Sequence, residues 1–234
     1  MAWNSPTTEL TTAGTDLMLA VLAVYTVSAL RRLGSRETWK VGIWTWLFGL
    51  LALGAVLGAV IHGFAWPKAT RSILWMPLYL SLGITVALFA AGAVYDGFGL
   101  TASRRALPWL FAVATLFFAA TQLGNGTFLW FVRYESAAMV GALGVYAYLF
   151  LTRRMPGAAM MTGGVALSIA AAAIQASKKG HFTLIWPVNH DGIFHLVQMA
   201  GVVALLVGLK QSLAPPSTLR TSRGSVPGAG RRTP

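Results

Sequence analysis

The stretch that decides the fold is Val41 to Phe64, VGIWTWLFGLLALGAVLGAVIHGF, in which no Asp, Glu, Lys or Arg occurs. An α-helix needs about 20 apolar residues to cross the roughly 30 Å hydrocarbon core of a bilayer. This segment is long enough, and it spaces Gly54, Gly58 and His62 four apart, so all three share one helix face and the glycines let a neighbour come close. Six further runs meet the same standard: 16–32, 72–95, 107–123, 128–151, 157–176 and 187–210. Punctuation separates them: Arg31-Arg32, Trp66-Pro67, Asp96-Gly97, Gly124-Asn125-Gly126, Arg153-Arg154 with Pro156, Lys178-Lys179-Gly180 and Trp186-Pro187. Pro108 is expected at the start of the fourth span, where its missing N–H costs nothing.

Composition agrees with lipid as the solvent for most of the chain. Of 234 residues, 56% are apolar and 10% charged, and mean hydropathy is +0.65; soluble domains carry about 25% charged residues. The expected fold class is therefore all-α integral membrane: a seven-helix transmembrane domain over 1–212, followed by a disordered, basic C-terminal tail over 213–234 rich in Pro, Gly, Ser and Arg. The first run has no basic segment before it and ends in Arg-Arg, so it is expected to be a retained helix, not a cleaved signal. No internal repeat of the transporter kind is visible.

The formal net charge of +12 arises from short clusters between apolar runs, which excludes a nucleic-acid-reading face. Thirteen Lys and Arg residues fall on one side of a seven-span arrangement: Arg31, Arg32, Arg36, Lys40, Arg104, Arg105, Arg153, Arg154, Lys210 and four arginines of the tail. Five fall on the other: Lys68, Arg71, Arg133, Lys178 and Lys179. Positive residues favour the cytoplasm, so the N-terminus is expected outside and the C-terminus in the cytoplasm, in the plasma (inner) membrane. The nine tryptophans are expected to form an interfacial belt. With no cysteine, disulfides, Fe–S clusters, thiolate zinc sites and cysteine nucleophiles are excluded. The last span has no lysine before Lys210, which argues against a retinal protein.

Intramembrane ionisable groups are costly and mark function by default. All four histidines (His62, His181, His190, His195) and the acids Glu9, Asp16, Glu135 and Asp191 fall toward one side. Asp16 reads as a helix N-cap, Asp96 as a helix-end residue on the other side, and His181 as a solvated loop residue. In NHDGIFHLVQ, residues 189–198, Asp191 and His195 share a helix face and Gln198 extends it. His62, Asp191 and His195 are the expected metal ligands, with His190 as a substitute for Asp191; imidazole and carboxylate suit zinc, which makes bound hydroxide available near neutral pH. Glu135 and His190 are the expected catalytic proton carriers.

Seven spans, His62 closing the second and the His195 motif opening the seventh resemble the CREST superfamily of seven-helix membrane hydrolases, which includes alkaline ceramidases and progestin/adipoQ receptors. The resemblance implies zinc held by the second-helix histidine (His62 here) and by an H-x-x-x-H pair whose second member is His195 and whose first slot holds Asp191. Gly58 stands where that family has a serine, and residues 72–80 contain no acid at the family's aspartate position. The preferred expectation is an enzyme, a metal-dependent hydrolase of a lipid-like amide or ester in the outer leaflet. The alternatives are a b-type haem protein with His62 and His195 as axial ligands, and a non-enzymatic transporter or sensor with an outer polar pocket.

Overall fold

The computed structural model describes residues 3–4, 7–123, 129–183 and 186–214. Among them are seven helices long and apolar enough to cross a membrane: α1 (Thr7–Arg31), α2 (Thr38–Gly63), α3 (Lys68–Phe98), α4 (Leu100–Leu123), α5 (Leu129–Leu151), α6 (Ala158–Ser177) and α7 (His190–Leu213). The protein is an all-α, multi-pass membrane protein by this measure. The expected turn at Gly124-Asn125-Gly126 and the tail beyond residue 214 lie outside the described residues.

Successive helices are antiparallel, so one end of the bundle gathers the start of α1, the end of α2 and the starts of α5 and α7. This is the N-terminal end below. Helices α1, α2, α3, α5, α6 and α7 touch in a ring that α1 and α7 close, while α4 packs on the outside of α3. Its membrane-crossing stretch is accordingly the least buried of the seven. Small residues set the closest approach in the ring. A Cβ on Gly164 would lie 2.8 Å from Leu205 and 3.0 Å from the Gly201 carbonyl, so α6 and α7 meet almost backbone to backbone.

Several boundaries differ from the sequence reading. Helix α1 starts nine residues before the expected span, because Thr11 and Thr12 return their hydroxyl protons to the carbonyls of Thr7 and Thr8 and so keep a polar first turn helical. Asp16 is thus not an N-cap; it is buried in the middle of the helix. Asp96-Gly97 does not stop α3, which runs to Phe98 and turns at Gly99 (φ +86°), whose N–H bonds the Tyr95 carbonyl. Helix α4 therefore begins at Leu100, and Pro108 sits inside it, where no N–H is available for the carbonyl four residues back. Finally, α7 begins at His190 instead of residue 187. Phe182–Thr183 and Pro187–Val188 form a two-residue antiparallel pair, β1 and β2, across the N-terminal end.

At the opposite end, Asp96 is more than a helix-end residue. Lys40 Nζ forms an ion pair with its carboxylate and a 2.9 Å hydrogen bond to Ser212, and the Tyr146 hydroxyl donates to Asp96 at 3.0 Å. This cluster joins α2, α3, α5 and α7. The tryptophan belt also needs correction at two places: Trp44 is fully buried in the core, edge-on to Phe89, and Trp75 lines an internal cavity.

Candidate functional site

Helix α7 is set by its cap. Asn189 has extended backbone, and its side-chain oxygen accepts from the N–H groups of Asp191 and Gly192, fixing the first turn. Thr12 Oγ1 lies 3.1 Å from the same oxygen and shares its one proton between it and the Thr8 carbonyl, which links α7 to α1. His195 is thereby pressed onto α1: Nδ1 lies 2.9 Å from Thr15 Oγ1 and Nε2 lies 3.2 Å from Asp16 Oδ1.

Hydrogen counting fixes the roles. Thr15 has one hydroxyl proton, directed at the Thr12 carbonyl at 2.8 Å, so its oxygen accepts from His195 Nδ1–H. Nε2 is then left facing the Asp16 carboxyl. Asp16 reaches this position because Gly58 makes room for it. A Cβ on Gly58 would come within 2.8 Å of Asp16 Oδ1. The second-helix glycine spacing read from the sequence thus serves a close contact with α1 through Gly58 and with α3 through Gly54, which faces Ser81 and Leu82.

His62 closes α2 and has its own carboxylate: Nδ1 lies 2.8 Å from Glu9 Oε2, with Arg71 Nη2 3.9 Å from the same oxygen. The N-terminal segment fastens this corner, for Asn4 bonds the His62 and Gly63 carbonyls and Trp3 stacks on Phe64. Trp75 stands edge-on to the His62 ring at 6.3 Å between centroids. His190 Nε2 lies 3.5 Å from Asp191 Oδ1, which also accepts from Gln175 Nε2 at 3.3 Å.

Several of these groups line one cavity of about 530 Å³ inside the ring of helices, within the range of small-molecule sites. His62, Glu135, His190, Asp191 and His195, all singled out from the sequence, face it together with Asp16, Gln175 and Gln198. His181 is exposed on the loop, as expected. Most of the remaining wall is apolar, with Phe48, Phe89, Phe131 and Phe194 among its members.

The three expected metal ligands are spread over separate pairings: His62 with Glu9, His195 with Asp16 and Thr15, and Asp191 with His190 and Gln175. Zinc or haem iron needs an imidazole nitrogen pointing at it, and His195 has both of its nitrogens engaged. Among the described residues, no three His, Asp or Glu side chains are placed to hold one ion. As they stand, the residues do not fit either group.

The chain falls into one family. It belongs to a family of unknown function, DUF6962, whose model matches residues 11–214. The match takes in the helical bundle from the second turn of α1 to the end of α7, so Asp16, Thr15 and every lining residue of the cavity fall within the family's extent. No curated protein and no solved structure matches the chain.

Sequence reasoning missed Thr15, Asp16, Glu9, Gln175 and Trp75 as parts of this site. A signal existed for the first two. Thr12, Thr15, Asp16 and Leu19 follow the i, i+3, i+4, i+7 stripe of a buried helix face, and all four are buried. Its polar members hid it from a hydropathy reading.

Proposed function

We propose that the protein is a non-enzymatic membrane binding protein, a sensor or carrier, whose cavity takes a small amphiphilic molecule from the side of the membrane on which its N-terminus lies. The observation that carries this reading is the cavity itself. It is mostly apolar, lies within the helix ring and is edged by histidine–carboxylate pairs and amides that protein groups only partly satisfy. Buried polar groups are ordinarily satisfied, so a wall that leaves several open is suited to a ligand that completes them.

N-phenyl-1-naphthylamine, whose emission rises in apolar surroundings, tests this directly. Saturable one-to-one binding is expected in the wild type. It should fall at least tenfold in Ala55→Phe, which adds a ring at a buried lining position. Non-saturable uptake, equal in both proteins, would contradict the reading.

In this reading the N-terminal end faces outside, supported by the distribution of Lys and Arg. The chain has no cysteine, so Ser177→Cys and Thr152→Cys, exposed at opposite ends of the bundle, report the orientation cleanly. A membrane-impermeant maleimide applied to intact cells is expected to label only Ser177→Cys. Labelling of Thr152→Cys alone would invert the arrangement.

A second reading keeps the metal-dependent hydrolase of a lipid-like amide or ester. It is supported by His62, Asp191, His195, Glu135 and His190 all lining one cavity, and it requires His195 to exchange a present partner for the metal. Stoichiometric zinc in purified protein, lost in both His62→Ala and His195→Ala but kept in His181→Ala, would favour it over the binding protein. A visible haem spectrum would favour the bis-histidine alternative.

A further inference from the structure

Four buried side-chain oxygens without any hydrogen-bond partner belong to residues lining this cavity: Asp16 Oδ2, Glu135 Oε2, Gln175 Oε1 and Gln198 Oε1. The two amide oxygens are acceptors, and the two carboxyl oxygens accept when their groups are ionised. The amide orientations are fixed by their other halves. Gln175 Nε2 donates to the Asp191 carboxylate, which can only accept when ionised. Gln198 Nε2 donates to Ser168 Oγ, whose own proton goes to the Gly164 carbonyl. Rotating either amide would set like against like. Asp16, Glu135 and Gln198 stand about 9–14 Å along their helices from the N-terminal end, at 1.5 Å per residue, so they form a band at comparable depth.

The cationic side of the wall is thin. His62 and His195 are taken by Glu9 and Asp16, His190 leans on Asp191, and Lys178 is the one Lys or Arg among the described lining residues, exposed at the rim. A cavity with several open oxygens, two of them on buried carboxyl groups, and Lys178 as the one Lys or Arg among its described lining residues selects a ligand that brings donors. A bare metal ion would satisfy the oxygens but leave the aromatic wall of Phe48, Trp75, Phe89, Phe131 and Phe194 without a partner. An organic cation uses both, since ring faces also attract ammonium groups.

We infer that the ligand is an amphiphilic primary amine, its three ammonium N–H groups held by Asp16, Glu135 and Gln198 and its apolar body by the phenylalanine wall. The inference rests on the reading of the cavity as a small-molecule site. A quaternary ammonium has the charge but no N–H, and would leave the acceptors open.

The test is a matched series on the purified full-length chain in detergent: 4-phenylbutylamine, its trimethylammonium analogue, 4-phenylbutan-1-ol and 4-phenylbutyrate, each read by the shift in thermal unfolding and by displacement of N-phenyl-1-naphthylamine. The primary amine is expected to bind about tenfold tighter than the alcohol and the quaternary analogue, with no saturable binding of the carboxylate. In Asp16→Asn/Glu135→Gln the amine should fall to the level of the alcohol while naphthylamine binding persists. A carboxylate that binds as well as the amine, or an alcohol equal to it, overturns the assignment. So does a melting shift by sodium or calcium chloride that matches the amine's and that the amine cannot compete away. If none of the four binds but the naphthylamine does, the pocket stands and the amine falls. If the naphthylamine fails as well, the pocket reading itself is lost.

Discussion

Replacing Lys40 by methionine is expected to lower the stability of the bundle by about 3–5 kcal/mol, the usual cost of leaving one partner of a buried ion pair alone. The side chains of Lys40 and Asp96 are only 3% and 2% exposed. Without Nζ, the Asp96 carboxylate keeps the Tyr146 hydroxyl but loses its counter-charge, and Ser212 loses a donor. Of this cluster only the Tyr146–Asp96 hydrogen bond, between α5 and α3, then remains. The measurement is thermal or denaturant unfolding in detergent, and the informative control is the double variant Lys40→Met/Asp96→Leu. Because a buried pair replaced as a whole by apolar residues is often neutral or better, the double variant should recover most of the loss. A Lys40→Met protein that melts with the wild type would show that the pair contributes nothing.

The opposite sign is expected at Glu135. Its residue is 6% exposed, and Oε2 has no hydrogen-bond partner. An unsatisfied buried polar group costs about 1–3 kcal/mol, so Glu135→Met, which keeps length and removes the oxygens, should raise stability by about that amount. The same change should weaken amine binding severalfold, short of the tenfold loss expected when Asp16 is changed as well. Gain of stability with loss of binding is the signature of a group held in place for a ligand at the expense of the fold. If Glu135→Met is destabilised instead, the carboxyl has a structural role, and its place in the ligand band fails.

How far the sequence could be read depends on which physical signal each feature left. The seven helices were legible because Val41–Phe64 and its counterparts are long, uncharged and punctuated, and lipid leaves few other solutions for such runs. The glycine face of α2 was legible from spacing alone. The ends were not: Thr7–Thr15 is too polar for a hydropathy window, yet its hydroxyls bond back to the helix that carries them. Of the site, the seventh-helix residues His190, Asp191 and His195 were found because they sit together in one short motif, and His62 and Glu135 because intramembrane charge is rare. Asp16 was assigned as a cap because a carboxylate after Thr15, taken at the edge of an apolar run, has the composition of a helix start. Its true partner, His195, lies 179 positions away, and no local pattern connects them. The ligand reading of His62, Asp191 and His195 matched residue types without knowing that Glu9, Asp16 and Gln175 stand beside them. The open acceptor oxygens could not be anticipated at all, because a glutamine's unpaired half is a property of packing.

One titration bears most directly on the claim that this cavity is a site for a donor-bearing amphiphile. With N-phenyl-1-naphthylamine bound to the wild-type protein, 4-phenylbutylamine is added until it saturates. Complete loss of the apolar emission with one-to-one stoichiometry, absent in Ala55→Phe, is the predicted result. Emission that stays constant while the amine saturates would place the two molecules at different sites and contradict the account.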